Sequence, residues 1–359
     1  MYKVDNYING KSCSISTESS SIINPSYGRE IGEVHYATAE TTNLAVESAY
    51  QAAKSWSKTG LTLRAELILK FRQGVIDRSS EIIDICINEA GKTKPDAEAE
   101  LDRAVQALTH VAGVQHFYPT HFSQNVAGVG PFNFPILIPI LHSAMALVTG
   151  NTYIAKPSEK VPSISRLYAD IYEDIGLPDG CFNVINGEKE IVEQLVRHEK
   201  VNGLAFIGST VAAKSLKILG VEHNTKVQAL GGGKNHMIVL PDADLDMSAD
   251  AAVSASFGAA GQRCMAVSVV VAVGDIADEL LDKIKERMPS LVMGVTDDDE
   301  TQLGPVISQE NKDKIYSFID TAEPDGATLV VDGRIRSNSL EGCFAVSYTH
   351  LTLPTILLV

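Results

Sequence analysis

The stretch SASFGAAGQRCMAV, Ser254 to Val267, holds the residues best suited to chemistry. A thiol reacts as its thiolate, and a nearby cation, a helix N-terminus or a base is what lowers a cysteine pKa. Arg263 supplies a cation directly before Cys264, and Gly258 and Gly261 permit a turn in which other groups approach the sulfur closely. A buried structural cysteine is the commoner alternative, since free cysteines are among the most buried residues.

Three further stretches carry polar groups at useful spacings. In KPSE, Lys156 and Glu159 can hold the two hydroxyls of a ribose, and the carboxylate would repel a 2′-phosphate. The same pair can equally be an exposed loop ion pair. In FIGST, Ser209 precedes a helical pattern, where free backbone N–H groups suit a pyrophosphate, although serine is also an ordinary N-cap. In PFNFP, Asn133 lies between aromatic and proline residues that fix the backbone; its amide can donate to a developing oxyanion or merely form a turn. Arg103 lies in an acidic-basic helical stretch, where pairing with Glu98 or Glu100 is the alternative to a functional role.

These groups need a scaffold that gathers strand ends. Residues 1–36 read as hairpin strands with turns at INGK and NPSYG, and from Thr38 the apolar period becomes helical. Helical faces follow through Trp56, Val75 and Ala90, and then a helix over 96–111. Residues 113–130 read as irregular. Beyond them strands at 151–155, 181–185 and 203–207 alternate with helices near 163–175, 188–196 and 211–219. Such alternation predicts a parallel sheet with helices on its faces, and such sheets bind ligands at the carboxyl ends of their strands. No GxGxxG is present, so the usual dinucleotide fingerprint is missing.

Composition narrows the partners. A net charge of −15 repels nucleic acid and anionic membrane surfaces. Five cysteines, an odd number without a CxxC, indicate neither a disulfide framework nor a zinc site and fit a reducing, cytoplasmic setting. The polar start MYKVDNYING predicts no signal peptide, and the apolar run from Phe134 to Val148 is too short and too interrupted to span a bilayer.

In the order PFNFP, KPSE, GST and GQRC, the motifs resemble the aldehyde dehydrogenase superfamily. VQALGGGKNH at Val227–His236 and SFGAAGQRCMA at Ser256–Ala266 are most similar to its CoA-acylating, methylmalonate-semialdehyde dehydrogenase branch. The resemblance covers residues 5–344. It implies an α/β fold with a Rossmann-type parallel-sheet NAD domain over 1–237 and an incomplete catalytic domain over 238–344. It implies Cys264 as nucleophile, with Asn133 and the cysteine's own N–H holding the oxyanion. Lys156, Glu159 and Lys160 would take the adenosine ribose, Gly130 and Phe132 the nicotinamide side, Ser209 the phosphates, and Gly231 a further cofactor contact. Arg103 and Arg263 would grip a substrate carboxylate.

One departure bears on the reaction. Hydrolytic relatives carry a general-base glutamate in ELGGK, and here Leu230 stands at that position. A thiol of low pKa needs no such base, so the resemblance implies coenzyme A as co-substrate with NAD as cofactor. The implied reaction takes malonate or methylmalonate semialdehyde to acetyl-CoA or propionyl-CoA with loss of carbon dioxide. A hydrolytic NAD-dependent enzyme and an inactive NAD-binding fragment are the competing readings. Gly231 replaces a more usual threonine. A hairpin-sized oligomerisation arm is missing near 125–130, whereas intact family members form homo-oligomers. The end SYTHLTLPTILLV, within 345–359, matches nothing in the family and reads as a fragment end or read-through.

Overall fold

The computed structural model describes residues 1–114, 124–337, 339–345 and 351–352. They cluster into two units, the first formed by Met1–Ile23, Glu30–Ala90 and Ala97–Gly232, the second by Asn24–Arg29, Gly91–Asp96 and Gly233–Val359. The division therefore falls a few residues before position 237, and two short earlier segments cluster with the later residues.

In the first unit the chain opens with β1 (Tyr2–Val4), β2 (Asn6–Ile8), β3 (Lys11–Cys13), β4 (Ser19–Asn24) and β5 (Arg29–His35). β2 and β3 form the hairpin expected from INGK: Asn9 and Gly10 both take positive φ, 53° and 76°, as a tight two-residue turn requires. β1 departs from the hairpin expectation, because it pairs in parallel with β5. Helices α1 (Ala39–Trp56), α2 (Leu61–Asp77), α3 (Ser79–Ala90) and α4 (Lys94–Ala112) follow. A capping box of Thr38 and Thr41 starts α1, which buries Ala45, Ala49, Ala53 and Trp56 at the predicted spacing. Phe71 of α2 stacks on Tyr172 at 3.8 Å between ring centroids.

The main sheet contains β6 (Asn125–Val129), β7 (Thr152–Lys156), β8 (Phe182–Val184), β9 (Gly203–Ile207) and β10 (Lys226–Leu230), all parallel. With β2 and β3 added at one edge, the order is β10-β9-β6-β7-β8-β2-β3. The chain moves outward from β6 to β8, then returns to place β9 on the other side of β6. That reversal makes the carboxyl ends of β6 and β9 a topological switch point, the usual crevice for a ligand in an open α/β sheet. Helices α5 (Leu137–Val148), α6 (Ser163–Asp174), α7 (Lys189–Arg197) and α8 (Thr210–Glu222) make the connections. Apolar residues of the sheet and of α1, α7 and α8, among them Ile154, Leu195, Leu204 and Leu216, form a shared core.

β6 corrects the irregular reading of 113–130. Its five residues contain Gly128, where a Cβ would lie 1.9 Å from the Tyr153 hydroxyl oxygen, so the packing requires a residue that ordinarily weakens a strand pattern.

The second unit pairs β11 (Asn235–Val239) in parallel with β12 (Val267–Ala272). Between them α9 (Leu245–Phe257) starts at an Asp244 cap. α10 (Ala277–Arg287) and α11 (Gln309–Ala322) follow, and Val239, Val253, Phe257, Leu280 and Ile284 belong to one core. Of the end read as foreign, Leu351–Thr352 pairs antiparallel with Thr328–Leu329, while 346–350 and 353–359 lie outside the described residues. No helix among the described residues is long and apolar enough to cross a membrane.

Candidate active site

Strand register brings most of the predicted cofactor residues to one sheet edge. Val129 is level with Lys156 on one side and with Phe206 on the other, and Ile207 is level with Leu230. Gly130 continues the row, donating its N–H to the Lys156 carbonyl at 3.0 Å, and Gly208 donates to the Leu230 carbonyl at 3.1 Å. Lys156 is buried; its Nζ donates to the Gly187 carbonyl at 2.6 Å and lies 3.7 Å from Glu159 Oε2. Burial lowers the Lys156 pKa, and the Glu159 carboxylate opposes that shift. The pair is thus a held ammonium beside a half-buried carboxylate, whereas Lys160 is exposed.

Ser209 is the N-cap of α8, accepting a bond from Ala212 N at 3.3 Å. The capping alternative is realised, and the helix N-terminus still opens at the sheet edge, where its dipole favours an anion. Gly231 is a close-approach glycine: a Cβ there would lie 2.9 Å from Thr210 Cα and Oγ1. The adjacent Gly232 N–H bonds Thr210 Oγ1 at 3.2 Å, which holds the strand end against α8.

Asn133 and Phe132 are half-buried in the turn that leads into α5. That turn is anchored by Glu100, a buried residue whose Oε1 accepts from both Ile136 N and Leu137 N at 2.8 Å. The Tyr168 hydroxyl donates to the Ile136 carbonyl at 3.1 Å. A carboxylate at the positive end of α5 satisfies two N–H groups that the helix itself leaves unpaired. Arg103, one turn further along α4, is exposed. The sequence contained a signal for the buried carboxylate: Ala97, Leu101, Ala104 and Leu108 form the buried stripe of α4, and Glu100 lies on it.

In the second unit Cys264 is exposed, whereas Cys86, Cys181 and Cys343 are buried. The buried-cysteine alternative thus describes those three. The preceding turn is unusual. Ala259 (φ 51°, ψ 38°), Ala260 (φ 53°, ψ 35°) and Gly261 (φ 71°) are consecutive left-handed residues. Each alanine there costs on the order of 1 kcal/mol, so surrounding bonds must hold the shape. Asp96 Oδ2 accepts from Ala259 N at 3.1 Å, and Asp96 Oδ1 pairs with the Arg263 guanidinium. Gln262 accepts from Ile307 N at 3.0 Å and donates to the Pro305 carbonyl at 3.3 Å. On the far side of the cysteine, the Asn235 amide donates to the carbonyls of Cys264 and Ala266 at 2.8 and 2.9 Å. Asp96, Gln262 and Asn235 were not read as site residues from the sequence, because their partners lie far along the chain.

Two surface clefts are lined by residues other than these. One of about 620 Å³ is lined by Ala39, Asn43 and His198, and one of about 400 Å³ by Phe257, Met288 and Val331. Among the described residues no cluster of His, Cys, Asp and Glu is arranged to hold a metal.

Comparison with known proteins identifies the family. The family model described as Aldehyde dehydrogenase family matches residues 13–350, past the Phe344 limit read from the sequence. A malonate-semialdehyde dehydrogenase of Bacillus pumilus is 35% identical over 92% of this chain and 71% of its own length. That of Lacticaseibacillus casei is 35% identical over 94% and 72%. Among solved structures, a methylmalonate-semialdehyde dehydrogenase from Oceanimonas doudoroffii superposes with a TM-score of 0.93 at 35% identity, covering 96% of this chain and 74% of that one. A Sinorhizobium meliloti protein named as a candidate methylmalonate-semialdehyde dehydrogenase, solved in complex with NAD, gives 0.93 at 36% with the same coverage. With its motifs, its sheet order and these matches in agreement, the chain belongs to the aldehyde dehydrogenase family.

Proposed function

We propose that the chain is built for NAD-dependent, CoA-acylating oxidation of malonate or methylmalonate semialdehyde. The products are acetyl-CoA or propionyl-CoA, NADH and carbon dioxide. The observation that carries the acylating reading is Leu230 at the end of β10, where hydrolytic relatives have a carboxylate. The names of the similar proteins, malonate- and methylmalonate-semialdehyde dehydrogenase, support the substrate class.

In this reading the first unit, with residues up to about 237, is the NAD-binding domain, and residues 238–344 are part of the catalytic domain. The residues present fit a dinucleotide: a held Lys156–Glu159 pair for ribose hydroxyls, with Lys160 beside it, the α8 N-terminus with Ser209 for phosphate, and Gly231 as a further cofactor contact. Gly130 and Phe132 flank the nicotinamide side. NAD supplies the hydride acceptor when bound. The Cys264 thiolate attacks the aldehyde carbon, the Asn133 amide and the Cys264 N–H hold the resulting oxyanion, and Arg263 with Arg103 binds the substrate carboxylate. Oxidation leaves a β-carboxyacyl thioester on Cys264; its carboxylate leaves as carbon dioxide, the C–C bonding pair passes into the thioester enolate, and a proton returns the enolate to an acetyl or propionyl thioester. Without a base to activate water, coenzyme A takes the acyl group through its own thiolate. A cytoplasmic location belongs to the same reading, on the five cysteines without disulfide spacing.

The test is steady-state NADH formation from each semialdehyde with and without CoA. Rate dependence on CoA is expected; equal rates would refute the acylating reading in favour of hydrolysis. NAD binding by calorimetry without a first-turnover burst of NADH would instead indicate a binding fragment.

A further inference from the structure

We propose that Asp96 is the positioning residue for Arg263, and that this pair gives Cys264 a preference for anionic reactants. The inference rests on the reading that Arg263 serves the substrate carboxylate.

Asp96 is mostly enclosed, its side chain 14% exposed, and both oxygens are engaged. One accepts from the Ala259 N–H at 3.1 Å and so holds the first left-handed alanine; the other holds Nη2 of Arg263. The guanidinium also lies over the bare Cα of Gly258, where a Cβ would come within 2.5 Å of Nη1. A long flexible side chain is thereby fixed by a charged partner on one side and a backbone surface on the other. A guanidinium has five N–H donors, and Asp96 is the hydrogen-bond partner that the described residues provide for it. The remaining donors can meet a second carboxylate without the loss of rotamer freedom that a loose arginine would incur. Gly258 and Asp96 thus act together: the first leaves room for the cation and the second aims it.

The experiment does not depend on turnover. Iodoacetate and iodoacetamide are of similar size and differ in charge. Their alkylation rates at Cys264, resolved by peptide mass spectrometry, give an anion preference that is compared with the urea-denatured chain. The native chain is expected to favour iodoacetate about five- to tenfold more than the denatured one, the order expected for a unit charge near a protein surface. Arg263→Ala should abolish that preference. Asp96→Ala should bring it within about twofold of the denatured value, and so should Gly258→Ala, which displaces the guanidinium while leaving Asp96 and both charges in place. General loosening of the turn would change both rates together and leave their ratio intact. No preference in the native chain, or its survival in Arg263→Ala, would defeat the Arg263 reading itself. A preference lost in Arg263→Ala but kept in Asp96→Ala would overturn the role of Asp96 alone; if Asp96→Ala does not fold, Asp96→Asn, which keeps an acceptor for the Ala259 N–H and removes the charge that holds Arg263, decides in the same way.

Discussion

Replacing Glu100 should uncouple the Asn133 turn from the helix it begins. One carboxylate oxygen accepts two backbone N–H groups at 2.8 Å, in a buried setting. In Glu100→Ala both donors lose their partner inside the protein. Leaving a buried donor unsatisfied costs about 1 to 3 kcal/mol, so the loss of two partners should be about 2 to 6 kcal/mol. Glu100→Gln keeps an acceptor oxygen and gives up the negative charge at the α5 N-terminus, a change of about 1 to 2 kcal/mol. The chain has one tryptophan, Trp56, buried in the first unit with its indole N–H on the Leu147 carbonyl at 3.1 Å. Its fluorescence during urea unfolding therefore reports the unit that contains Glu100. A loss below about 1 kcal/mol in Glu100→Ala, with an unchanged denaturant slope, would refute the anchoring argument.

Two further predictions use the same reporter. Glu89 is fully buried, receives the Tyr2 hydroxyl at 2.5 Å, and burial pushes its carboxyl up to about 7. Its native form keeps a proton that the unfolded chain has released, so its contribution falls as pH rises from about 4.5 to about 7, by about 3 kcal/mol at most. Glu89→Gln should remove that slope and be the more stable protein at pH 8; parent and variant showing the same stability difference at pH 5 and pH 8 would refute it. Gly231→Thr should destabilise the end of β10 by about 1 to 3 kcal/mol, because the new Cβ meets Thr210 Cα as well as Oγ1. Thr210→Ala should therefore fail to rescue it, and full rescue would show that the hydroxyl alone was the obstacle.

The sequence by itself determined the chemistry-bearing residues and the kind of scaffold beneath them. Cys264, Asn133, Lys156, Glu159 and Ser209 stood out as candidates because thiol, amide, ammonium, carboxylate and hydroxyl groups declare their chemistry by type, and their order matched one family. The alternation of short strands and helices was equally legible, since apolar periodicity is a property of neighbouring residues. The helices near 163–175 and 211–219 appear as α6 and α8 with shifts of only a few residues. β6 was not legible, because its Gly128 answers to Tyr153, in a neighbouring strand.

Only the tertiary structure decided how the reactive groups are held. Glu100 bonds a turn 36 residues away, and Asp96 bonds one 163 residues away. No local period encodes such pairs, and a carboxylate on a helix reads first as a solvated charge. The left-handed alanines before Cys264 are likewise invisible in the sequence, since alanine favours the opposite hand and keeps this one only under constraint. Residue type thus marked the candidate groups, and long-range bonds to Glu100 and Asp96 fixed how each unit holds its own.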